Sequence, residues 1–236
     1  MKLLKKAIVI IHGFTGSLYE NEYLANLLEY ENDFDVFAKT LTGHNHDRFS
    51  SAKYEDWLKD VDNEIKELIN HGYNKIYLVG HSMGGILASY LASRYKQVKK
   101  LVLINAAFDW INFKQNKDDF LKKDISKYSH LWEKFLRTSP LMVYEFSQLV
   151  KTQQNVLKNI TCEVLILQSN KDEIIPIKTA NKIYEKLEKT KNKKITYLDK
   201  CSHVVLIGDR KDEVSKYIRS FLRGGITWKI NMKDKL

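Results

Sequence analysis

Three residues in this 236-residue chain have the types and order needed for nucleophilic catalysis: Ser82, Asp172 and His203. Ser82 lies in Gly80-His-Ser-Met-Gly84, a G-x-S-x-G pattern. The pattern is short and weak alone. It gains weight because the β-branched, apolar run before it predicts a strand and Ile86–Arg94 predicts a helix after it. A serine on such a sharp strand-to-helix turn is thrust above the sheet. Side chains at Gly80 or Gly84 would collide with the neighbouring strand or helix.

A serine hydroxyl attacks a carbonyl only when a base takes its proton and an acid orients that base. His203, in Lys200-Cys-Ser-His-Val204, follows a predicted strand and lies downstream of the serine. His12, His44, His46, His71 and His81 precede or abut Ser82, and His130 falls in a separate aromatic segment, so His203 is the expected base. Asp172, in Ser169-Asn-Lys-Asp-Glu-Ile-Ile-Pro176, is the expected acid, with Glu173 as its rival. The developing oxyanion needs two backbone donors. Met83 N–H, directly after the nucleophile, is one. Phe14 N–H, in His12-Gly13-Phe14 after the first strand, is the other.

The elements that must position these residues follow from hydrophobic periodicity. Strands are predicted at Ala7–Ile11, Phe34–Lys39, Asn74–Val79, Val98–Ile104, Cys162–Leu167 and Ile195–Leu198. Helices are predicted at Leu18–Tyr30, Tyr54–Asn70, Ile86–Arg94, Thr179–Leu187 and Lys211–Leu222, and Gly80–Gly85 is read as a turn. Alternation of strand and helix implies βαβ crossovers and a mostly parallel α/β sheet of about six strands. The carboxyl ends of parallel strands share one edge, so Ser82, Asp172 and His203 should converge there.

Asp109–Lys158 breaks the alternation. It shows no strand and is rich in aromatics, including Trp110, Phe113, Phe120, Trp132, Phe135, Tyr144 and Phe146. We read it as a helical cap inserted at about 108–158, between core segments 1–107 and 159–236 of a single domain. Ordinary surface helices are the alternative. The tail Arg223–Leu236 fits either an edge strand or a loose end.

Composition bounds the rest. Apolar residues make up 44% and charged residues 29%, ordinary for a globular protein. The net charge of +10 raises the question of nucleic acid, but only 6 of the 39 basic residues are Arg and the lysines are scattered, as expected of a solvated surface. Peripheral contact with lipid stays open. Cys162 and Cys201 should be far apart. They flank opposite ends of neighbouring strands, about 17–20 Å from one another, whereas a disulfide needs α-carbons within about 7 Å. The N-terminal apolar run stops after five residues at His12, short for a secretory h-region, and no stretch approaches a membrane span, so a cytoplasmic location is expected. His44-Asn-His46-Asp47 is similar to a zinc-hydrolase pattern, but its spacing is off by one and no further ligand cluster follows.

At these residues the chain resembles the α/β-hydrolase superfamily, and within it the small bacterial carboxylesterases related to monoacylglycerol lipases. The resemblance runs over nearly the whole chain. It rests on Ile10-Ile-His-Gly-Phe-Thr-Gly16, on Trp57, on Gly80-His-Ser-Met-Gly-Gly85 and on Asp172-Glu-Ile-Ile-Pro176. Ser202-His203-Val204, Asp209-Arg-Lys-Asp212 and Phe221-Leu222 complete it. It implies a triad of Ser82, Asp172 and His203, oxyanion donors on Phe14 and Met83, and no metal or organic cofactor. It also implies a small-molecule ester of short or medium acyl chain, selected by the cap. Monoacylglycerol lipase, thioesterase and serine aminopeptidase chemistry on the same triad are the alternatives. A non-catalytic binding protein on this fold is a further one. Two departures stand out: Thr42-Gly43-His44-Asn45 replaces a Gly-His-Gly turn, and Ser202 replaces a glycine before the histidine. The first predicted strand corresponds to the family's third, which predicts a small sheet.

Overall fold

A computed structural model describes residues 6–30, 34–44, 52–109 and 138–225. Its strands are β1 (Lys6–Ile11), β2 (Asp35–Ala38), β3 (Lys75–His81), β4 (Val98–Ile104), β5 (Glu163–Ser169) and β6 (Lys193–Leu198). Its helices are α1 (Tyr19–Glu29), α2 (Tyr54–Asn70), α3 (Met83–Arg94), α4 (Pro140–Thr152), α5 (Thr179–Lys186) and α6 (Lys211–Leu222), with a short 3₁₀ turn at Val156–Asn159.

All strand pairings are parallel, in the order β2-β1-β3-β4-β5-β6. The continuous apolar run Ala7–Ile11 is buried on both faces of the sheet. Ala7, Val9 and Ile11 face one core layer with Trp57, Val61 and Ile65 of α2 and Ile86 and Leu87 of α3. Ile8 and Ile10 face the other, with Leu24 and Leu28 of α1 and Val214, Ile218 and Phe221 of α6. Parallel sheets need such cover on both sides because their crossover helices lie on both faces.

The strand order reverses between β1 and β3, and open α/β sheets bind ligands in the crevice at that reversal, beyond the carboxyl ends. Register fixes what meets there. Ile11 pairs with Gly80, His81 with Ile104, and Ile104 with Leu167. The loops after β1, β3, β4 and β5 therefore leave the sheet side by side.

The turn is tighter than the sequence suggested. The strand runs through His81 and the helix starts at Met83, leaving Ser82 alone between them where a six-residue turn was expected. Of the expected cap, residues 110–137 lie outside the described residues. The remainder forms α4 and the 3₁₀ turn. α4 opens with Ser139 as N-cap, its Oγ accepting from Met142 N–H at 3.2 Å, and with Pro140 in its first turn. Residues 226–236 of the tail also lie outside. Cys162 and Cys201 are both free. No helix among the described residues is long and apolar enough to cross a membrane.

The glycines at the turn give a first prediction. A Cβ on Gly84 would stand 2.1 Å from the Ile11 carbonyl oxygen, a backbone atom in a central strand. Gly84→Ala should lower unfolding free energy by about 3 kcal/mol. Gly208→Ala, whose Cβ meets nothing closer than 3.6 Å, should stay within about 0.5 kcal/mol of the parent. Urea denaturation followed by circular dichroism checks both, and equal midpoints for the two variants would contradict the packing argument.

Candidate active site

Ser82 sits at φ 53° and ψ −116°, a conformation a side chain rarely adopts. Such a backbone costs about 1–3 kcal/mol and persists only when its surroundings over-determine it. Here they do. Ser82 N–H donates to Ile104 O at 2.9 Å, while Ser82 O accepts from Gly85 N–H at 3.0 Å and Ala107 N–H at 3.2 Å. A Cβ on Gly80 would stand 2.3 Å from Gly84 O, and one on Gly85 would stand 2.6 Å from Ala106 Cβ, so the turn closes only without those side chains.

His203 and Asp172, expected to pair, do so. Nδ1 of His203 lies 3.0 and 2.9 Å from the two oxygens of Asp172. Both side chains are almost wholly buried, at 5% and 1% exposure. Asp172 is oriented in turn: its Oδ1 accepts from Ile174 and Ile175 N–H, each at 2.8 Å, and Gln168 Nε2 approaches Oδ2 at 3.4 Å. Burial alone would push the His203 pKa down. The Asp172 charge and hydrogen bond, helped by the Glu173 and Glu20 charges, reverse that and hold it above the ordinary imidazole value. With Nδ1 committed to Asp172, Nε2 is the nitrogen left for a second partner.

Glu173, the rival acid, serves His203 differently. Its Oε2 accepts the His203 backbone N–H at 3.0 Å, and burial raises its carboxyl pKa. His81 directly precedes Ser82, and its ring lies 4.9 Å from the His203 ring. Burial, then repulsion by His203, holds its pKa down to about 3, so it is neutral and donates Nε2–H to His203 O at 2.9 Å. Asn105, at the carboxyl end of β4, donates Nδ2–H to the same oxygen at 2.8 Å. The sequence reading missed both contacts. Asn105 carried the signal that found Asp172: a polar residue directly after a buried strand.

The loop after β1 abuts the serine, since a Cβ on Gly13 would stand 3.2 Å from Ser82 Cβ. His12 anchors it. Its Nε2 accepts Leu41 N–H at 3.0 Å and its Nδ1–H donates to Gly13 O at 2.8 Å. Burial, then His44, lowers the His12 pKa to about 4, which keeps this tautomer neutral. Phe14 stacks on Phe146 of α4, centroids 4.7 Å apart and planes within 15°. Trp57 and His44 meet it edge-on. Met83 is the first residue of α3, where a backbone N–H has no intrahelical acceptor. Among the described residues, no backbone carbonyl takes the Phe14 N–H.

His44 belongs to this packing, with Nδ1–H donating to Thr42 O at 3.1 Å and its ring against Trp57. His46 and Asp47 lie outside the described residues, and among the described residues no cluster of three metal-ligating side chains forms.

The arrangement sets a carboxylate-paired imidazole and a strained serine on the same sheet edge. Its electrostatics can be tested without any substrate. In Asp172→Asn the carboxylate charge is gone while burial remains, so His203 should titrate at lower pH than in the parent protein. Imidazole NMR titration checks this, and an unchanged His203 pKa would contradict the assigned cause.

Comparison with known proteins places the fold. The family profile described as "alpha/beta hydrolase fold" matches residues 6–161. A carboxylesterase of Bacillus subtilis (strain 168) is 25% identical over 234 residues, covering 92% of each chain. A thermostable monoacylglycerol lipase of Bacillus sp. (strain H-257) is 24% identical, over 85% of this chain and 83% of its own. Among solved structures, one of two metagenome-derived lipolytic enzymes superposes with a TM-score of 0.77 at 19% identity, over 93% of this chain and 94% of its own. The monoacylglycerol lipase of Paleococcus ferrophilus superposes at 0.73 with 20% identity, over 93% and 95%. The parallel sheet, the serine turn at the strand reversal and the matched family profile lead to one conclusion: the chain belongs to the α/β-hydrolase fold family.

Proposed function

We propose that this protein is a serine carboxylesterase acting on short- to medium-chain carboxylic esters through an acyl-enzyme on Ser82. The observation that carries the reading is the buried Asp172–His203 pair, at 2.9–3.0 Å, on the same sheet edge as the strained Ser82. The similarity to a carboxylesterase and a monoacylglycerol lipase supports an ester substrate.

In this mechanism His203 Nε2 takes the Ser82 hydroxyl proton as Oγ bonds to the ester carbonyl carbon. Asp172 fixes the imidazole tautomer and stabilises the imidazolium. Phe14 and Met83 N–H hold the oxyanion, each donor worth roughly 3–4 kcal/mol. As the intermediate collapses, the proton passes to the departing alkoxide and the alcohol leaves. Water then attacks the acyl-enzyme with His203 again as base, releasing the acid and restoring Ser82. Because the base must be neutral, activity should rise as pH passes upward through the His203 pKa, which lies above the ordinary imidazole value.

We assign the acyl-selecting cap to residues of about 108–158. The Phe146–Phe14 stack supports this, since it seats α4 directly on the loop that carries one oxyanion donor. The aromatic content of the segment favours an apolar acyl group. The monoacylglycerol lipase relative gives the second reading, in which the ester is a monoacylglycerol.

Hydrolysis of p-nitrophenyl esters from acetate to palmitate tests the proposal. Rates should peak at short or medium chains, and Ser82→Ala should lose about 10⁶-fold in kcat while keeping its fold. A maximum at palmitate would favour the lipase reading. Full activity in Ser82→Ala would overturn the triad.

A further inference from the structure

His203 is held at more points than a general base requires. Its Nδ1 is on Asp172, its backbone N–H on Glu173, and its carbonyl accepts from both His81 and Asn105. Asn105 is the member that links these contacts. It is fully buried and sits at φ 45°, in the left-handed region. Asn tolerates that region better than most residues, yet the position still costs backbone energy. Its backbone N–H donates to Leu167 O at 2.9 Å, which ties it to β5. Its side-chain Oδ1 accepts Ser169 N–H at 2.8 Å. Its Nδ2 donates to Ser169 Oγ at 3.0 Å and to His203 O at 2.8 Å, with Ser202 O at 3.4 Å.

Ser169 ends β5, three residues before Asp172, whereas His203 belongs to the loop after β6. One buried amide therefore bridges the loop bearing the acid and the loop bearing the base. We propose that Asn105 is a positioning residue that sets the placement of His203 relative to Asp172, acting on the His203 main chain and never touching the reacting atoms. The inference rests on the ester-hydrolase reading for its consequence in catalysis, but its geometric content does not.

Displacing a catalytic group by about an ångström costs on the order of 100-fold in rate. Two variants separate positioning from mere stability. Asn105→Gly deletes the amide and relaxes the left-handed backbone. Asn105→Asp keeps the shape and the acceptor for Ser169 N–H, but sets an oxygen against the His203 carbonyl. Both should lower kcat by about 10- to 100-fold on the best p-nitrophenyl ester, with KM within about twofold of the parent. Substrate-free proton NMR gives the second readout: the downfield Nδ1–H signal of His203, bonded to Asp172, should shift or broaden in both variants. Rates within about twofold of the parent in both variants, or a kcat loss with an unchanged Nδ1–H signal, would overturn the proposal. If the parent protein were silent on every ester, the function reading would fail, and the Nδ1–H signal alone would decide the role of Asn105.

Discussion

Ser82 keeps a backbone conformation that its own side chain disfavours, and the centre of the fold is arranged around holding it there. At φ 53° the residue would relax if its neighbours allowed it. They do not, because β1, α3 and the segment after β4 approach too closely. The Cβ positions of Gly80, Gly84 and Gly85 each lie within 2.6 Å of atoms that cannot move aside cheaply. Ser82 directly precedes α3, whose first-turn N–H groups lack intrahelical acceptors. That helix end carries a partial positive charge next to Ser82. The missing side chains of three glycines let this turn close.

The acid and the base reach the same edge by a different route. Nothing local strains His203; it is located from outside by partners on three other elements. His81 comes from β3, Asn105 from the end of β4, and Asp172 with Glu173 from the loop after β5. Parallel register makes this convergence possible, since every one of these residues lies at a strand's carboxyl end. Two neutral buried histidines serve as scaffolding. His81 holds the His203 carbonyl and His12 joins the loop after β1 to Leu41. Burial suppresses the charge of each, which lets His81 pack against the His203 ring and His12 against that of His44.

Much of this was legible in the sequence. Tyr54–Asn70 and Lys211–Leu222 were found to the residue, because Trp57, Val61 and Ile65, or Val214, Ile218 and Phe221, recur at helical spacing with charged residues between them. Asp172 and His203 were legible because a polar residue straight after an apolar run marks a strand's end. The length of the serine turn was not. G-x-S-x-G marks a turn, but it does not say that the helix starts at Met83, one residue after Ser82. The bridging role of Asn105 was not legible either, since it depends on Ser169 and His203, 64 and 98 residues away along the chain. Glu173 was weighed as a rival to Asp172. Its bond to the His203 main chain gives it a part that no sequence rule distinguishes from solvation.

The central claim is that the fold makes one serine nucleophilic. A fluorophosphonate probe tests it without any choice of substrate, because an activated serine displaces fluoride and keeps the phosphonyl group. Intact-mass analysis followed by tryptic mapping should show one adduct per chain, on Ser82 within Ile76–Arg94, and none when the protein is unfolded before exposure. An adduct on any other residue, or a native protein that stays unlabelled, would contradict the account.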